Sequence, residues 1–386
     1  MVTVIERSYM PKVSVIIPSY KHGKYVRESI RSVLSQTFQD FEIVVTDDGS
    51  TDNTVEEIKS FNDERIKLFV FSKNQGASVA ANNCILNSSG KYIAMLSSDD
   101  VFFPGKLEKQ VEFLDGNPDI GVVFSKAYFI DEDGDKFTDL THPYCSVFNK
   151  ENRDRYQWLN YFFYHGNCLC HPSALIRRDC YDKVGLYDER FGSLPDFDFW
   201  VRVCMHFDIH ILNENLIKFR IRKGEANASG DKPETHIRNT VEYKEILKHY
   251  LNIESVEDFR KIFSGVDIPG QVDAKLIPFY VAKESLASPL EYRRLFGIEV
   301  LYDIMKEKDI AKSLNEIGFA YSDLIAITGK HDVFKLYLNG SPFLSKKGRA
   351  QYKIGEFILW LPYRIYKLLK AVRAYFLSAC KVDASK

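Results

Sequence analysis

Short apolar runs alternating with helical spacing are the feature that most restricts how this chain can fold. Residues 13–17, 42–46, 66–71, 92–96 and 121–124 are rich in Val, Ile, Phe and Leu and have the length of strands. Between the first two runs, Val26, Ile30, Val33 and Leu34 fall on one face of a helix. Strand–helix–strand repetition predicts an α/β fold, Rossmann-like, with a mainly parallel sheet flanked by helices. In such sheets ligands bind beyond the carboxyl ends of the strands.

The pattern changes at Lys223. Residues 223–236, KGEANASGDKPETH, are polar with Gly, Pro and Ser, and read as a loop or linker. Helical spacing follows over 242–251, 256–263, 276–288 and 290–307, with no strand-like alternation. A length of 386 residues suggests two to three domains. The expected division is an α/β domain over 10–225, an α-helical C-terminal region over 226–345, and a basic amphipathic tail over 346–386.

Composition excludes several classes. Basic and acidic residues number 52 and 53, a net charge of −1, so no global field points to nucleic acid as a partner. The seven cysteines are odd in number and scattered, which suits a reducing compartment better than a disulfide framework. The string Cys168, Cys170, His171 has no second pair at metal-finger spacing and is read as structural. The N-terminus shows no signal-peptide pattern, and no run reaches the ~18 apolar residues of a spanning helix. A cytoplasmic location is expected.

Two carboxylate pairs carry the chemistry. Asp47 and Asp48 follow the run 42–46; Asp99 and Asp100 follow the run 92–96 through two serines. Either pair alone could cap a helix or form an Asx-turn. Both together at the carboxyl ends of a parallel sheet favour a hard divalent cation, which relieves their repulsion and binds through carboxylates and substrate phosphates.

The succession of motifs then resembles a known family. SVIIPSYKHGKYVRESIRSVLSQTFQDFEIVVTDDGSTDNT (14–54), Asn74-Gln75-Gly76, Asn82, GKYIAMLSSDD (90–100), HPSALIRRDCYDKVGLYDERF (171–191) and DFDFWVR (196–202) are similar to the ordered motifs of family 2 inverting glycosyltransferases. The resemblance covers about residues 11–229. It implies a GT-A fold, a nucleotide-diphosphate sugar donor (a UDP-sugar is expected) and Mn²⁺ or Mg²⁺. Carried over by position, Pro18, Ser19 and Tyr20 would line the nucleotide pocket and Asp48 would bond the base or ribose. Asp99 would meet the ribose or the metal shell, Asp100 would bind the metal, and Asp196 would be the catalytic base. Three positions depart from the pattern. Ser97 stands where an acid often opens the second motif, Ala81 where an Arg commonly precedes the Asn, and Pro195 where a Glu usually precedes the base.

The implied activity is hexosyl transfer to a hydroxyl of a glycan or lipid-linked acceptor in surface-polysaccharide synthesis. Single displacement inverts the anomeric centre and needs a base but no enzyme nucleophile. A metal-dependent nucleotidyltransferase would more naturally show a Gly-rich basic loop than SYKHGKY. A non-catalytic scaffold would more naturally have lost Asp100 or Asp196.

Other residues have two readings. Arg222 ends an expected strand and is either a forked phosphate ligand or a solvated charge, with 223–236 a lid in the first case. His171 either touches acceptor or is a hydrogen-bonded structural group. Phe199 and Trp200 read as core anchors. In the tail, Ile354, Phe357, Ile358, Leu361, Ile365, Leu368, Leu369, Val372 and Phe376 form one apolar stripe, interrupted by Pro362. Arg364, Lys367, Lys370 and Arg373 lie on other faces, with Trp360, Tyr363 and Tyr366 at its margin. Such a helix either lies on the anionic inner face of a membrane or packs on the protein itself.

Overall fold

A computed structural model describes residues 10–334 except 140, 149, 226, 228 and 229. The tail over 346–386, the last part of the helical region to 345, Cys380 and Ser229 therefore lie outside the described residues. The chain divides into two compact units, Met1–Val281 and Ala282–Lys386.

The first unit is built on one eight-stranded sheet: β1 (Val13–Ser19), β2 (Phe41–Asp47), β3 (Ile66–Val70), β4 (Tyr92–Met95), β5 (Val101–Phe102), β6 (Ile120–Ile130), β7 (Leu175–Arg177) and β8 (Asp208–Arg220). Their order is β3-β2-β1-β4-β7-β6-β8-β5. Strands β3, β2, β1 and β4 pair in parallel. Strand β7 is antiparallel to both β4 and β6, so β6 points the same way as β4, and β8 is parallel to β6. Only β7 and β5 run backwards, the latter against β8. The expected mainly parallel sheet is present.

Burial explains why these runs form strands. In β1 and β2 nearly every residue is buried, the sign of a sheet covered on both faces. Val15, Ile17, Val45, Ala94 and Leu175 from the strands meet Val26, Ile30, Leu107 and Val111 from helices in one cluster. Phe199 and Trp200 are fully buried, and Trp200 meets Phe124 edge-on at 4.9 Å between ring centres.

Two elements differ from expectation. β6 runs past the apolar stretch 121–124 through residues 126–129, which are only partly buried, and β8 ends at Arg220 with residues 213–215 exposed in its middle. A helix occupies Pro233–Leu247 and so begins inside the stretch read as a loop; proline suits its first position. Few of its residues are buried, Glu242, Ile246 and Leu247 among them, so its apolar periodicity is weak in the sequence. In the second unit the helices Glu291–Ile304, Lys308–Glu316 and Tyr321–Lys330 follow one another without strands.

Candidate active site

The register brings four strand ends to one edge. Ser19 at the end of β1 stands opposite Asp47 at the end of β2, Ile16 opposite Met95 of β4, and Arg220 ends β8. The loop after β1 is fastened to the loop after β2 by three backbone donors. Lys21 N donates to Ser50 Oγ (2.8 Å), His22 N to Thr54 Oγ1 (2.9 Å) and Gly23 N to Asp52 Oδ2 (3.2 Å). Lys21 holds a left-handed backbone, φ 52°. Pro18 pairs in register with Thr46, Tyr20 is 39 % exposed, and Ser19 Oγ is buried without a hydrogen-bond partner.

The two residues of the first acidic pair divide their roles. Asp47 closes the local turn, accepting from Ser50 N (2.8 Å) and Ser50 Oγ (2.6 Å). Asp48 reaches across to the next loop and accepts from Gln75 N (2.6 Å) and Gly76 N (2.9 Å), one bond per oxygen. Each oxygen keeps acceptor capacity for a ligand. Gly49 has φ +73°, and a Cβ there would fall 2.6 Å from the Lys73 carbonyl carbon, so the loops meet this closely only with glycine.

The second pair, Asp99 and Asp100, is buried at the centre of the edge. Asp100 Oδ1 accepts from the Arg220 backbone N (2.8 Å). Burial, and then the charge of Asp99, hold the Asp100 carboxyl well above the ordinary carboxylate range. Arg220, itself buried, donates to the carbonyls of Asp99 (2.7 Å), Asp131 (3.1 Å) and Glu132 (3.2 Å) and to Glu28 Oε2 (2.5 Å). Arg222 approaches the site itself: its Nε pairs with Asp99 Oδ2 at 3.2 Å and its Nη1 donates to His22 Nε2 at 2.9 Å. Because a guanidinium can only donate, His22 accepts at Nε2 and its Nδ1–H faces Ser98 Oγ at 2.7 Å. Burial lowers the His22 pKa, in keeping with that neutral ring.

The third group lies on the helix Pro195–Cys204. Asp196, in its first turn and half-buried, accepts one bond from Asn167 Nδ2 (2.8 Å). Asp198, buried, is bound to Arg202 (2.7 and 2.8 Å) and to His249 Nε2 (2.7 Å). His171 Nε2 bonds Tyr187 Oη (2.9 Å), and burial lowers its pKa, as the structural reading of that histidine expects. Cys168 and Cys170 are buried free thiols, the first pushed up to about 12 by burial, which makes it inert. His22, Arg220, Asn167 and His249 were not read from the sequence; no local spacing ties them to the acids they contact.

Mn²⁺ or Mg²⁺ can be tested against these donors. Two adjacent buried carboxylates, one driven toward protonation by burial and its neighbour's charge, form a hard oxygen site that a divalent cation would relieve. Among the described residues no group of three His, Cys, Asp or Glu gathers into a complete cage. A cation at Asp100 would thus draw other ligands from substrate phosphates, the usual manner for Mg²⁺.

Comparison with known proteins points to one family. The sequence profile described as Glycosyl transferase family 2 matches residues 14–185. An uncharacterized glycosyltransferase of Methanocaldococcus jannaschii is 32 % identical over 216 residues, 55 % of this chain and 71 % of that protein. The O-antigen biosynthesis glycosyltransferase WbnJ of Escherichia coli is 30 % identical over 223 residues, 56 % of this chain and 82 % of WbnJ. In three dimensions, Staphylococcus aureus TarS 1–349 in complex with UDP-GlcNAc superposes with a TM-score of 0.53 at 20 % identity, covering 86 % of this chain and 93 % of that one. At that identity the likeness is one of fold.

Proposed function

Since the chain belongs to glycosyl transferase family 2 and has a GT-A fold, we propose that it transfers a sugar from a nucleotide-diphosphate donor, a UDP-sugar, to a hydroxyl with inversion. The observation that carries this reading is the buried Asp99–Asp100 pair at the shared edge of β1, β2, β4 and β8, faced by Arg222. Residues 10–225 carry all the groups assigned here.

Pro18, Ser19, Tyr20 and Asp48 form the nucleotide pocket; the unpartnered Ser19 Oγ and the spare acceptor capacity of Asp48 suit a base and ribose. Asp100 would hold Mn²⁺ or Mg²⁺, which supplies positive charge to stabilise the departing diphosphate. Arg222 offers a forked cation to the same phosphates once it leaves Asp99. The acceptor oxygen attacks the anomeric carbon, the bond from that carbon to the diphosphate oxygen breaks, and the hydroxyl proton passes to Asp196. The nucleoside diphosphate leaves with the electron pair. A glycan or lipid-linked acceptor of a surface-polysaccharide pathway fits the likeness to WbnJ.

The test is a panel of nucleotide sugars assayed for hydrolysis and transfer, with titration calorimetry of UDP with and without Mn²⁺. Wild type should turn over a UDP-sugar in a metal-dependent manner. Asp100→Ala should lose roughly 10³-fold in kcat, the scale of removing one strong stabiliser of developing charge. It should also lose the Mn²⁺-dependent part of UDP affinity. Metal-dependent affinity that survives in Asp100→Ala removes the assigned role.

A further inference from the structure

The loop ahead of Asp196 is held by a carboxylate from far along the chain. Glu242, buried on the helix Pro233–Leu247, accepts from Gly192 N (2.8 Å), from Ser193 N (3.0 Å to Oε2) and from Leu194 N (2.7 Å). Those three donors immediately precede the helix that carries Asp196 in its first turn. That helix has no cap of its own: Leu194 at the cap position has no acceptor side chain, and Pro195 has no N–H. One turn earlier on the same helix as Glu242, Arg238 Nη1 reaches Ser193 Oγ at 3.2 Å.

The other neighbour of Asp196 is held from the same helix. Tyr243 covers Gly166, where φ is +80° and a Cβ would fall 2.8 Å from its hydroxyl. Asn167, the next residue, is the one that donates to Asp196 Oδ2. Tyr243 also meets Phe197, beside Asp196, edge-on at 5.5 Å. Consecutive residues, Glu242 and Tyr243, thus fix both the backbone that carries the carboxylate and the backbone that carries its hydrogen-bond donor.

The geometry points to Glu242 as the positioning residue for the base: its carboxylate sets the place of Asp196 relative to the acceptor without touching substrate. This rests on the reading of Asp196 as the base. A carboxylate accepting three backbone N–H bonds is a strong, charge-assisted clamp. Gln fills the same space but turns an NH₂ toward donors, leaving at least one loop N–H without a partner. The loop would then relax, and a misplacement near 1 Å costs on the order of 10²-fold in rate.

The experiment compares Glu242→Gln, Glu242→Asp and Asp196→Asn in the full chain. It measures kcat and KM for the UDP-sugar that wild type turns over, UDP affinity with Mn²⁺, and thermal midpoint. Expected for Glu242→Gln is a kcat lower by about 10²-fold with UDP affinity within about twofold of wild type, and a midpoint lowered by no more than a few degrees for the unpaired N–H. Glu242→Asp, which keeps the charge, should recover part of kcat. Unchanged kcat in Glu242→Gln while Asp196→Asn is inactive overturns the inference alone. So does a parallel fall of kcat, UDP affinity and midpoint, or failure of both Glu242 variants to fold, since each makes the clamp a folding element. An active Asp196→Asn removes the base reading itself.

Discussion

Asp196 and Asp198 sit two residues apart in the first turn of one helix, and their surroundings are opposite. Asp198 is buried and its two oxygens are taken by Arg202 and His249, whereas Asp196 is half-buried with one neutral donor, Asn167. A carboxylate locked between two basic groups is poorly placed to accept a proton from an acceptor hydroxyl. We therefore expect Asp196→Asn to lose most of its rate while keeping UDP affinity, because the base acts on the acceptor and not on the donor. Asp198→Asn should lose stability instead, by about 3 kcal/mol, the cost of breaking a buried ion pair from one side. Urea unfolding of both variants beside their turnover checks this; an inactive Asp198→Asn of native stability would reverse the assignment. In the sequence only the family resemblance separated the two aspartates; local spacing could not, since both are first-turn acids and His249 lies 51 residues away. The split between Asp47, turned back on Ser50, and Asp48, on the 75–76 backbone, likewise came from the sequence only through the resemblance, which singled out Asp48.

Elements were legible where burial imposes a period. β1 and β2 are covered on both faces and read as mostly apolar runs; β8, with residues 213–215 exposed in its middle, and the helix Pro233–Leu247, with few buried positions, do not. The helix Lys106–Gly116 shows the converse, a charged residue type at a core position. Lys106 is fully buried, with Nζ donating to Gln110 Oε1 (2.6 Å) and lying 4.2 Å from the centre of the Phe102 ring. Among the described residues no carboxylate offsets it, and burial pushes its pKa down to about 7 from an ordinary 10.5. Because the folded value is the lower one, the unfolded chain binds more protons between those limits, and stability rises with pH across that window. Relative to Lys106→Met, which has no such proton, the wild type should gain roughly 2 kcal/mol between pH 7 and pH 9. Urea midpoints of the two proteins at both pH values test this; a constant difference would mean Lys106 stays charged in the fold.

At the scale of the whole molecule, charge is nearly balanced, so any surface attraction must be local. Among the described residues no helix is long and apolar enough to cross a membrane. The sequence beyond them places an apolar stripe from Ile354 to Phe376 beside Arg364, Lys367, Lys370 and Arg373, with Trp360, Tyr363 and Tyr366 at its margin. Were that segment helical it would be amphipathic and suited to the interface plane, where each basic residue near an anionic surface adds on the order of 1 kcal/mol. A transferase acting on a lipid-linked acceptor would find that acceptor at the same surface. We accordingly expect the full chain to float with phosphatidylcholine vesicles that contain phosphatidylglycerol. Vesicles of phosphatidylcholine alone should bind less, and salt should weaken the attachment because the Debye length shrinks to about 3 Å at 1 M. Deleting residues 346–386 should abolish flotation while leaving hydrolysis of a soluble UDP-sugar unchanged, since no residue assigned to the site lies beyond Arg222 or, with the positioning clamp included, beyond Tyr243. Equal flotation of the truncated chain would place the attachment elsewhere. Loss of soluble donor hydrolysis on truncation would instead mean that the tail packs on the protein and supports its fold.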